Sequence, residues 1–342
     1  MTIKLATGEL IAALSVVAPG IMTRKSLVEQ YSSFIFFKDS VMTFNEKVAV
    51  KYPIETGLEF LVGSKEFFSA LSSFSSEEIE MTLVEGKVGV KGKGERFEMP
   101  VSIDTEHINT VRGIFETEEK VKWKKIPEGF SEGLSLCLFS ISDSFTFHNL
   151  ACACINEKGI TTSDNIRVSF FKLSGFDRQF LLPKSSAEDI IKFPVVEYYL
   201  TDSWAFFKTK DGVVIGLQTV LGDYPDTSSV FDISGDSIAL PDELKKVVSE
   251  ITVFSNSERP EEQKIEISIG NRIVTCRDEG KGGWFEKDIP SKSRLNKRIS
   301  FKINPSFLLS ILNKTNTMIL SDDRALFKTD SFLHVMILPV VK

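Results

Sequence analysis

The sequence predicts an α+β protein of three tandem domains, each built from two repeats of one helix and an antiparallel sheet. Three observations carry this prediction. A short helix pattern recurs six times along the 342 residues. Segments with alternating apolar residues, typical of strands, fill the intervals between the helix segments. Residues that favour tight turns interrupt most of these segments, as expected for antiparallel hairpins.

The helix pattern is a pair of apolar residues four positions apart, in a segment that opens near Pro, Gly, Ser or Asp. This spacing places both residues on one face of a helix. The second members of successive pairs are 57 or 63 residues apart, so the pattern predicts one helix in each of six similar repeats. The pairs are Leu10 and Leu14, Phe67 and Leu71, Phe130 and Leu134, Ala187 and Ile191, Leu244 and Val248, and Phe307 and Ile311.

The strand-like segments alternate with period two and break at turn residues. Glu85-Gly86, Lys210-Asp211-Gly212 and Gly270-Asn271 are the predicted turns. Each repeat is therefore expected to hold one helix and about four antiparallel strands. The segments are residues 32–44, 79–94, 203–220, 264–278 and 317–330.

A repeat of about 57 residues is too small to bury both a helix and a sheet by itself. Pairing two repeats places two helices together with the sheets outside them. The predicted domains are residues 1–119, 120–236 and 237–342.

Composition excludes several classes of protein. The net charge of −6 argues against a protein that holds nucleic acid by bulk positive charge. Four cysteines do not make a disulfide framework. The sequence contains no stretch of about 18 apolar residues, so it predicts no membrane span. The N-terminal segment has the spacing of an amphipathic helix instead of a signal peptide, so we expect a cytoplasmic protein.

Four segments resemble the bacterial and phage DNA polymerase III beta-type sliding clamps, in the family's order. TIKLATGELIAALSVVAPGIMTRKSL resembles the first strand, helix and basic loop. ITTSDNIRVSFFKL, VLGDYPDTSSVF and FLHVMILPVVK resemble a middle-domain strand-turn motif, an interdomain segment and the closing strand. Asn165, Ile166, Ser229, Val341 and Lys342 depart from the residues common in the family, which indicates a divergent member.

The resemblance implies a DNA clamp fold, and a non-catalytic processivity factor that encircles duplex DNA and tethers a polymerase. Its implied partners are double-stranded DNA, a DNA polymerase, a clamp loader and a second copy of the chain. Twelve helices spaced about 8–10 Å apart around a closed ring would leave a hole of roughly 25 Å. Basic residues in or beside the repeat helices are the candidate channel lining: Arg24, Lys25, Lys65, Lys124, Lys125, Lys184, Lys192, Lys245, Lys246 and Lys314.

The resemblance also implies a groove that takes an extended peptide from polymerase or loader. The implied dimer edges lie near residues 96–103 and 264–276. The implied groove residues are Ser163, Asn165, Ile166, Arg167 and Val168 in the middle domain, Pro225, Ser229 and Val230 in the connecting segment, and Met336, Ile337, Leu338, Pro339 and Val340 at the C-terminal end.

Two motifs suggest chemistry that their context does not support. Ser163-Asp164-Asn165 and Ser169-Phe170-Phe171-Lys172 occur in the reverse of the order used by serine penicillin-binding enzymes. His148, Cys152 and Cys154 lack the second cysteine pair of a zinc site, so the thiols are expected to be buried and no metal or cofactor is expected. The alternatives are a carboxylate-based nuclease or hydrolase, and a clamp-like protein that does not encircle DNA.

Overall fold

A computed structural model describes residues 2–22, 29–118, 120–143, 149–251, 263–280, 282–292, 295, 298–321 and 323–337. These residues form seven α-helices and 24 strands. Six of the helices are those that the repeat predicts, and the third is an addition. The helices are α1 Thr7–Val17, α2 Ser64–Ser72, α3 Thr105–Phe115, α4 Phe130–Cys137, α5 Lys184–Ile190, α6 Glu243–Ile251 and α7 Pro305–Leu312.

Each repeat is a strand, a helix and three further strands, which confirms the predicted α+β fold class. The first three repeats contain β1 Thr2–Ala6, β2 Ser33–Phe37, β3 Ser40–Phe44, β4 Val48–Pro53, β5 Phe60–Gly63, β6 Glu78–Val84, β7 Lys87–Lys91, β8 Arg96–Pro100, β9 Lys124–Lys125, β10 Cys152–Asn156, β11 Gly159–Ser163 and β12 Arg167–Lys172. The last three contain β13 Phe180–Pro183, β14 Val195–Leu200, β15 Trp204–Thr209, β16 Val214–Gln218, β17 Asp236–Ala239, β18 Ile265–Gly270, β19 Ile273–Gly280, β20 Gly283–Pro290, β21 Ile299–Ile303, β22 Thr317–Leu320, β23 Arg324–Lys328 and β24 Phe332–Ile337.

Neighbouring repeats exchange their first strands. Strand β1 pairs with β6 of the second repeat, and β5 of the second repeat pairs with β2 of the first. The same exchange joins β9 to β14 and β13 to β10, and then β17 to β22 and β21 to β18. Because each sheet borrows a strand from the neighbouring repeat, a single repeat could not complete its own sheet.

The chain divides into two compact units. Unit 1 comprises residues 1–126 and 185–221, and unit 2 comprises residues 127–184 and 222–342. Unit 1 holds a four-stranded sheet in the order β1-β6-β7-β8 and an eight-stranded sheet in the order β5-β2-β3-β4-β16-β15-β14-β9. Unit 2 holds an eight-stranded sheet in the order β13-β10-β11-β12-β24-β23-β22-β17 and a four-stranded sheet in the order β20-β19-β18-β21. The division into three domains stays a prediction.

The repeated apolar pairs form the helix side of the core. Eleven of the twelve predicted side chains are at most 2% exposed. The exception is Ile191, because α5 ends at Ile190 and Ile190 takes the buried position one residue earlier. One predicted turn also shifts, since Asn271 and Arg272 carry positive φ angles where Gly270-Asn271 was expected. The Glu85-Gly86 turn is where the sequence predicts it, with φ values of 48° and 76°.

Helix α3 begins at an N-cap that the repeat pattern overlooks. One carboxylate oxygen of Asp104 accepts hydrogen bonds from the backbone amides of Glu106 and His107, both at 3.1 Å. Ile108, Val111 and Phe115 follow at helical spacing and are buried. They pack on the face of the unit 1 eight-stranded sheet that is opposite to the face covered by α1 and α2.

Candidate functional site

Unit 2 contains a pocket of about 400 Å³ on its eight-stranded sheet. The wall combines the β11–β12 turn, the end of β24, the β22–β23 turn and the segment that follows residue 222. Most of the lining is apolar, with a few polar groups at the edge, which is the usual chemistry of a ligand pocket. The lining residues are Leu150, Ser163, Asn165, Ile166, Val168, Pro225, Thr227, Val230, Asp323, Arg324, Val335 and Ile337.

Seven of the thirteen predicted groove residues meet in this pocket: Ser163, Asn165, Ile166, Val168, Pro225, Val230 and Ile337. Arg167, Ser229 and Met336 are described but do not line it. Leu338, Pro339 and Val340 lie outside the described residues. Peptide binding in this pocket stays a prediction.

The β11–β12 turn projects one apolar side chain toward solvent. Asp164 Oδ1 accepts hydrogen bonds from the backbone amides of Ile166 at 3.0 Å and Arg167 at 2.7 Å. Asn165 has a φ of 70°, a conformation that asparagine tolerates better than most residues. This turn leaves Ile166 60% exposed at the mouth of the pocket.

Arg167 does not line the pocket, for two local reasons. Side chains alternate along a strand, so Arg167 projects to the opposite face of β12 from Val168. Its guanidinium is also held by Asp164, with Nε and Nη2 at 2.9 and 2.5 Å from Oδ2. Met336 is 4% exposed and alternates in the same way with Val335 and Ile337, which both line the pocket.

The β22–β23 turn adds a charged edge that the sequence interpretation missed. Arg324 lies opposite Ile337 in the β23–β24 ladder, so strand pairing brings this turn to the pocket. A hydrogen bond from the Ser321 hydroxyl, together with Arg324, holds the pKa of Asp323 below its usual range. Asp323 and Arg324 form an ion pair at 3.4 Å. The sequence interpretation did not place this turn at the pocket, because its neighbours across the sheet follow only from the strand register.

A buried polar chain supports the sheet behind the pocket wall. The hydroxyl oxygen of Ser169 lies 2.8 Å from that of Ser140 and 2.8 Å from Nδ1 of His334. All three residues are fully buried, and burial lowers the pKa of His334 to about 3. The imidazole therefore stays neutral at physiological pH and ties β12 to β24 as a structural group.

Four of the predicted DNA-facing lysines form ion pairs. Lys184 pairs with Asp143 at 2.6 Å, Lys192 with Asp189 at 2.8 Å and Lys246 with Glu250 at 3.9 Å, while Lys314 pairs with Glu132. Lys65 and Lys245 are exposed on the sides of α2 and α6 away from the core, and Lys124 and Lys125 are exposed on β9. Arg24 and Lys25 lie outside the described residues.

Unit 1 has a broader, more open groove of about 610 Å³ between α1 and α2. Leu14, Phe34 and Phe68 form its apolar part, and Lys65 stands at its edge. Serine hydroxyls of both helices complete the wall.

The described residues contain no group of three or more His, Cys, Asp or Glu side chains placed to hold a metal ion. Cys152 and Cys154 are buried as expected, and burial raises the pKa of each thiol to about 11. His148, the third member of the rejected zinc motif, lies outside the described residues. In the part of the chain that the structure describes, no helix is long and apolar enough to cross a membrane.

Comparisons with known proteins identify the fold. No family model matches the sequence, and no curated protein matches it. The beta subunit of DNA polymerase III from Borrelia burgdorferi, solved with a natural product, is similar at a TM-score of 0.81 and 14% identity over 100% of both chains. The Bacillus subtilis DNA polymerase sliding clamp has a TM-score of 0.77 and 13% identity over 99% of both chains. The beta subunit from Pseudomonas aeruginosa has a TM-score of 0.75 and 17% identity, over 99% of this chain and 100% of that chain.

The repeats and sheets thus define an α+β protein with the clamp fold. In particular, the fold is that of the bacterial DNA polymerase III beta subunits, along nearly the whole chain. At these identities the likeness is one of fold.

Proposed function

We propose that this chain is a DNA sliding clamp, a non-catalytic subunit that encircles duplex DNA and tethers a DNA polymerase. The observation that carries the proposal is the sixfold repeat with its strand exchange, shared in fold with sliding clamps over 99–100% of the chain. The pocket in unit 2 supports it, because seven residues expected from the family resemblance meet there.

The charge pattern supports holding DNA by encirclement instead of by affinity. A net charge of −6 and ion-paired lysines give few free phosphate contacts, and many such contacts would slow sliding. Lys65 and Lys245, exposed on α2 and α6, are our first candidates for transient phosphate contacts. Arg24 and Lys25 stay candidates on sequence grounds.

Retention on closed DNA tests the proposal. The protein, loaded with its clamp loader onto a nicked circular plasmid, should stay bound through gel filtration. Cutting the same plasmid once with a restriction enzyme should release it, because a ring slides off a free end. Equal retention on circular and linear DNA would instead favour binding by contact, as in the clamp-like alternative.

A second copy is needed to close a ring of six domains. Our candidate edges for that contact are β8 and β20, each the last strand of its repeat and an outer strand of a four-stranded sheet. The expected edge at residues 264–276 is wrong, because β18 and β19 are interior strands that each pair on both sides. Light scattering should give the mass of a dimer, and a monomer at micromolar concentration would contradict the ring.

The pocket in unit 2 is the proposed docking site for a short apolar peptide from polymerase or loader. Ile166 and Ile337 are neighbours on adjacent segments of the pocket wall, joined by a backbone hydrogen bond of 2.9 Å, and they are 60% and 49% exposed, so an apolar anchor could cover both. Titrating the polymerase's clamp-binding peptide against wild type and Ile166→Asp tests this. The variant should bind at least tenfold more weakly. Wild-type affinity in the variant would remove this pocket from the proposal.

A further inference from the structure

The pocket in unit 2 has one cation in its wall. Of the twelve described residues that line it, Asp323 and Arg324 are the charged ones, and both lie where β22 turns into β23. The side chain of Arg324 is 33% exposed, and that of Asp323 is 62% exposed. The guanidinium is therefore the more enclosed charge, while the carboxylate is largely in water.

The guanidinium of Arg324 is only partly used by Asp323. Its Nε lies 3.4 Å from Asp323 Oδ1, which is longer than the usual N–H···O distance. The same oxygen also accepts the Ser321 hydroxyl at 3.1 Å. Within the part of the chain that the structure describes, neither terminal nitrogen of Arg324 has a hydrogen-bond or ion-pair partner. These two nitrogens can bind a carboxylate through parallel hydrogen bonds.

The backbone of Arg324 is fixed independently of its side chain. Its amide donates to the Ser321 hydroxyl oxygen at 3.1 Å. Its carbonyl accepts the Ser321 amide at 2.9 Å and the Ser321 hydroxyl at 3.1 Å. A change of side chain at position 324 should therefore leave the turn in place.

Arg324 stands in a row with two apolar side chains. It lies opposite Ile337 in the β23–β24 ladder, and the Ile337 amide donates to the Ile166 carbonyl at 2.9 Å. All three residues line the pocket. Neighbouring strands are about 4.8 Å apart, so the row is about 10 Å long. A short peptide that crosses the row would meet the two isoleucines and the cation.

The equivalent position in unit 1 is aromatic instead of charged. The pairings β4–β16 and β12–β24 are the joints of the two eight-stranded sheets. Gln218 ends β16 and lies opposite Trp204. Ile337 ends β24 and lies opposite Arg324, so Trp204 and Arg324 are equivalent. Trp204 packs on Phe44, with ring centroids 6.4 Å apart. The cation therefore belongs to the sheet face that has a pocket.

We infer that the pocket selects a peptide with an acidic side chain beside its apolar anchor, and that Arg324 binds this carboxylate. The inference rests on the proposed docking site and adds the chemistry of its ligand. With the anchor over Ile166 and Ile337, the acidic residue falls within about three positions of it, since three extended residues span about 10 Å. A nucleic-acid phosphate would pair with Arg324 but leave both isoleucines in water, so a peptide fits the whole row better.

A peptide series tests whether Arg324 reads the charge. Each probe is an N-acetylated, C-amidated, fluorescein-labelled peptide with two adjacent leucines in a Gly-Ser background. Asp, Asn or Lys is placed two positions before or after the leucines. The blocked termini remove the chain-end carboxylate, so the side chain is the acidic group under test. Fluorescence anisotropy gives each dissociation constant.

Wild type should bind the better of the two Asp peptides about fivefold more tightly than its Asn counterpart, as for a partly exposed ion pair. Arg324→Met keeps an apolar stem without the charge and should bind both peptides equally. Arg324→Glu should prefer the Lys peptide. Asp323→Asn removes the competing carboxylate and should bind the Asp peptide about twofold to threefold more tightly than wild type does.

The matched control is Lys328→Met. Lys328 is an exposed cation on the same strand as Arg324, four residues further along, and it does not line the pocket. Four residues of a strand span about 13 Å, so this variant should keep the fivefold preference. Loss of the preference in Lys328→Met would show that the overall charge of the sheet, and not Arg324, selects the peptide.

The outcomes separate the inference from the proposed function. Equal binding of the Asp and Asn peptides to wild type overturns the role of Arg324 and leaves the docking site in place. If peptides with serine in place of both leucines bind as tightly, Arg324 is a general anion site, and the inference is wrong. If no peptide binds in a way that Ile166→Asp weakens, the docking site and the inference both fail.

Discussion

The two eight-stranded sheets are built alike but covered differently. Their strands follow the same order when each strand is named by its position in its repeat. The two central strands, β4 and β16 in unit 1 and β12 and β24 in unit 2, also pair in the same register. In unit 1, α3 lies across the face opposite to α1 and buries Ile108, Val111 and Phe115. In unit 2, the segment after residue 222 forms only a 3₁₀ turn at Ser228–Phe231 and leaves the pocket open. One scaffold therefore carries a closed face and an open face.

Side chains at equivalent positions reinforce the difference. The repeat register makes Leu150, Ser163 and Arg324 of the pocket equivalent to Tyr31, Phe44 and Trp204 of unit 1. Those aromatic residues pack together, with ring centroids 5.7 Å apart for Tyr31 and Phe44 and 6.4 Å apart for Phe44 and Trp204. His107 from α3 packs on two of them, 5.8 Å from Tyr31 and 6.3 Å from Phe44. Large residues and a helix thus fill in unit 1 the space that forms the pocket in unit 2.

The largest expected effect is a loss of stability from a substitution on the closed face. Phe115→Ala removes a buried ring of α3 from the unit 1 core, and should lower the free energy of unfolding by about 3–5 kcal/mol. The matched change on the open face is Ile337→Ala, where the side chain is half exposed. It should lower the free energy of unfolding by less than about 1 kcal/mol. Urea denaturation of both variants measures the difference, and similar losses would contradict the distinction between the two faces.

The stability contributed by the buried His334 behind the open face should depend on pH. Because burial lowers the folded-state pKa of His334 to about 3, its unfolded form, near 6.5, takes up a proton first as pH falls. The stability from a neutral His334 is therefore complete above pH 6.5 and declines between pH 6.5 and about 3. The slope is at most about 1.4 kcal/mol per pH unit.

The test compares wild type with His334→Gln by urea denaturation at pH 7.0, 5.5 and 4.5. All other titratable groups are the same in both proteins, so the difference between the two curves isolates His334. Wild type should lose about 2–3 kcal/mol more than the variant between pH 7.0 and 4.5. Parallel curves would show that His334 takes up its proton over the same pH range in the folded and the unfolded protein.

The repeat was predictable from sequence because its signals are local. Apolar pairs one helical turn apart and two-residue turns depend on neighbours in the chain, and eleven of the twelve helix positions are buried as predicted. Helix α3 also has a local signal, Asp104 followed by Ile108, Val111 and Phe115, but it lies outside the repeating pair. The strand exchange and the joints β4–β16 and β12–β24 were not predictable, because both pair residues that are distant in the chain. The exchange pairs residues 24 to 84 positions apart, and the joints pair residues more than 160 positions apart. The same long-range register brings Asp323 and Arg324 to the pocket.

Filling the pocket should make the open face of unit 2 resemble the closed face of unit 1. Ser163→Phe introduces the residue that unit 1 has at the equivalent position 44, and its ring should fill the pocket. We expect peptide affinity to fall at least tenfold, measured by fluorescence anisotropy. Ser237→Phe, on an exposed strand of the same sheet, is the control and should bind as wild type does. Full affinity in Ser163→Phe would place the peptide elsewhere.

The smallest effect concerns Arg167, where the family resemblance and the geometry disagree. As a groove residue, Arg167 would bond a peptide carbonyl or carboxylate, and Arg167→Ala would weaken binding by about 1 kcal/mol. In the structure its guanidinium is held by Asp164 on the other face of β12, so it has no direct path to the pocket. We therefore expect Arg167→Ala to change peptide affinity less than twofold.

Asp164 Oδ1 would still accept the amide of Ile166, so the turn that presents Ile166 should persist in the Arg167→Ala variant. Stability should fall by less than about 1 kcal/mol, as for a partly exposed ion pair. A tenfold loss of affinity would show that Arg167 leaves Asp164 when the peptide binds, and the open face would then include both sides of β12.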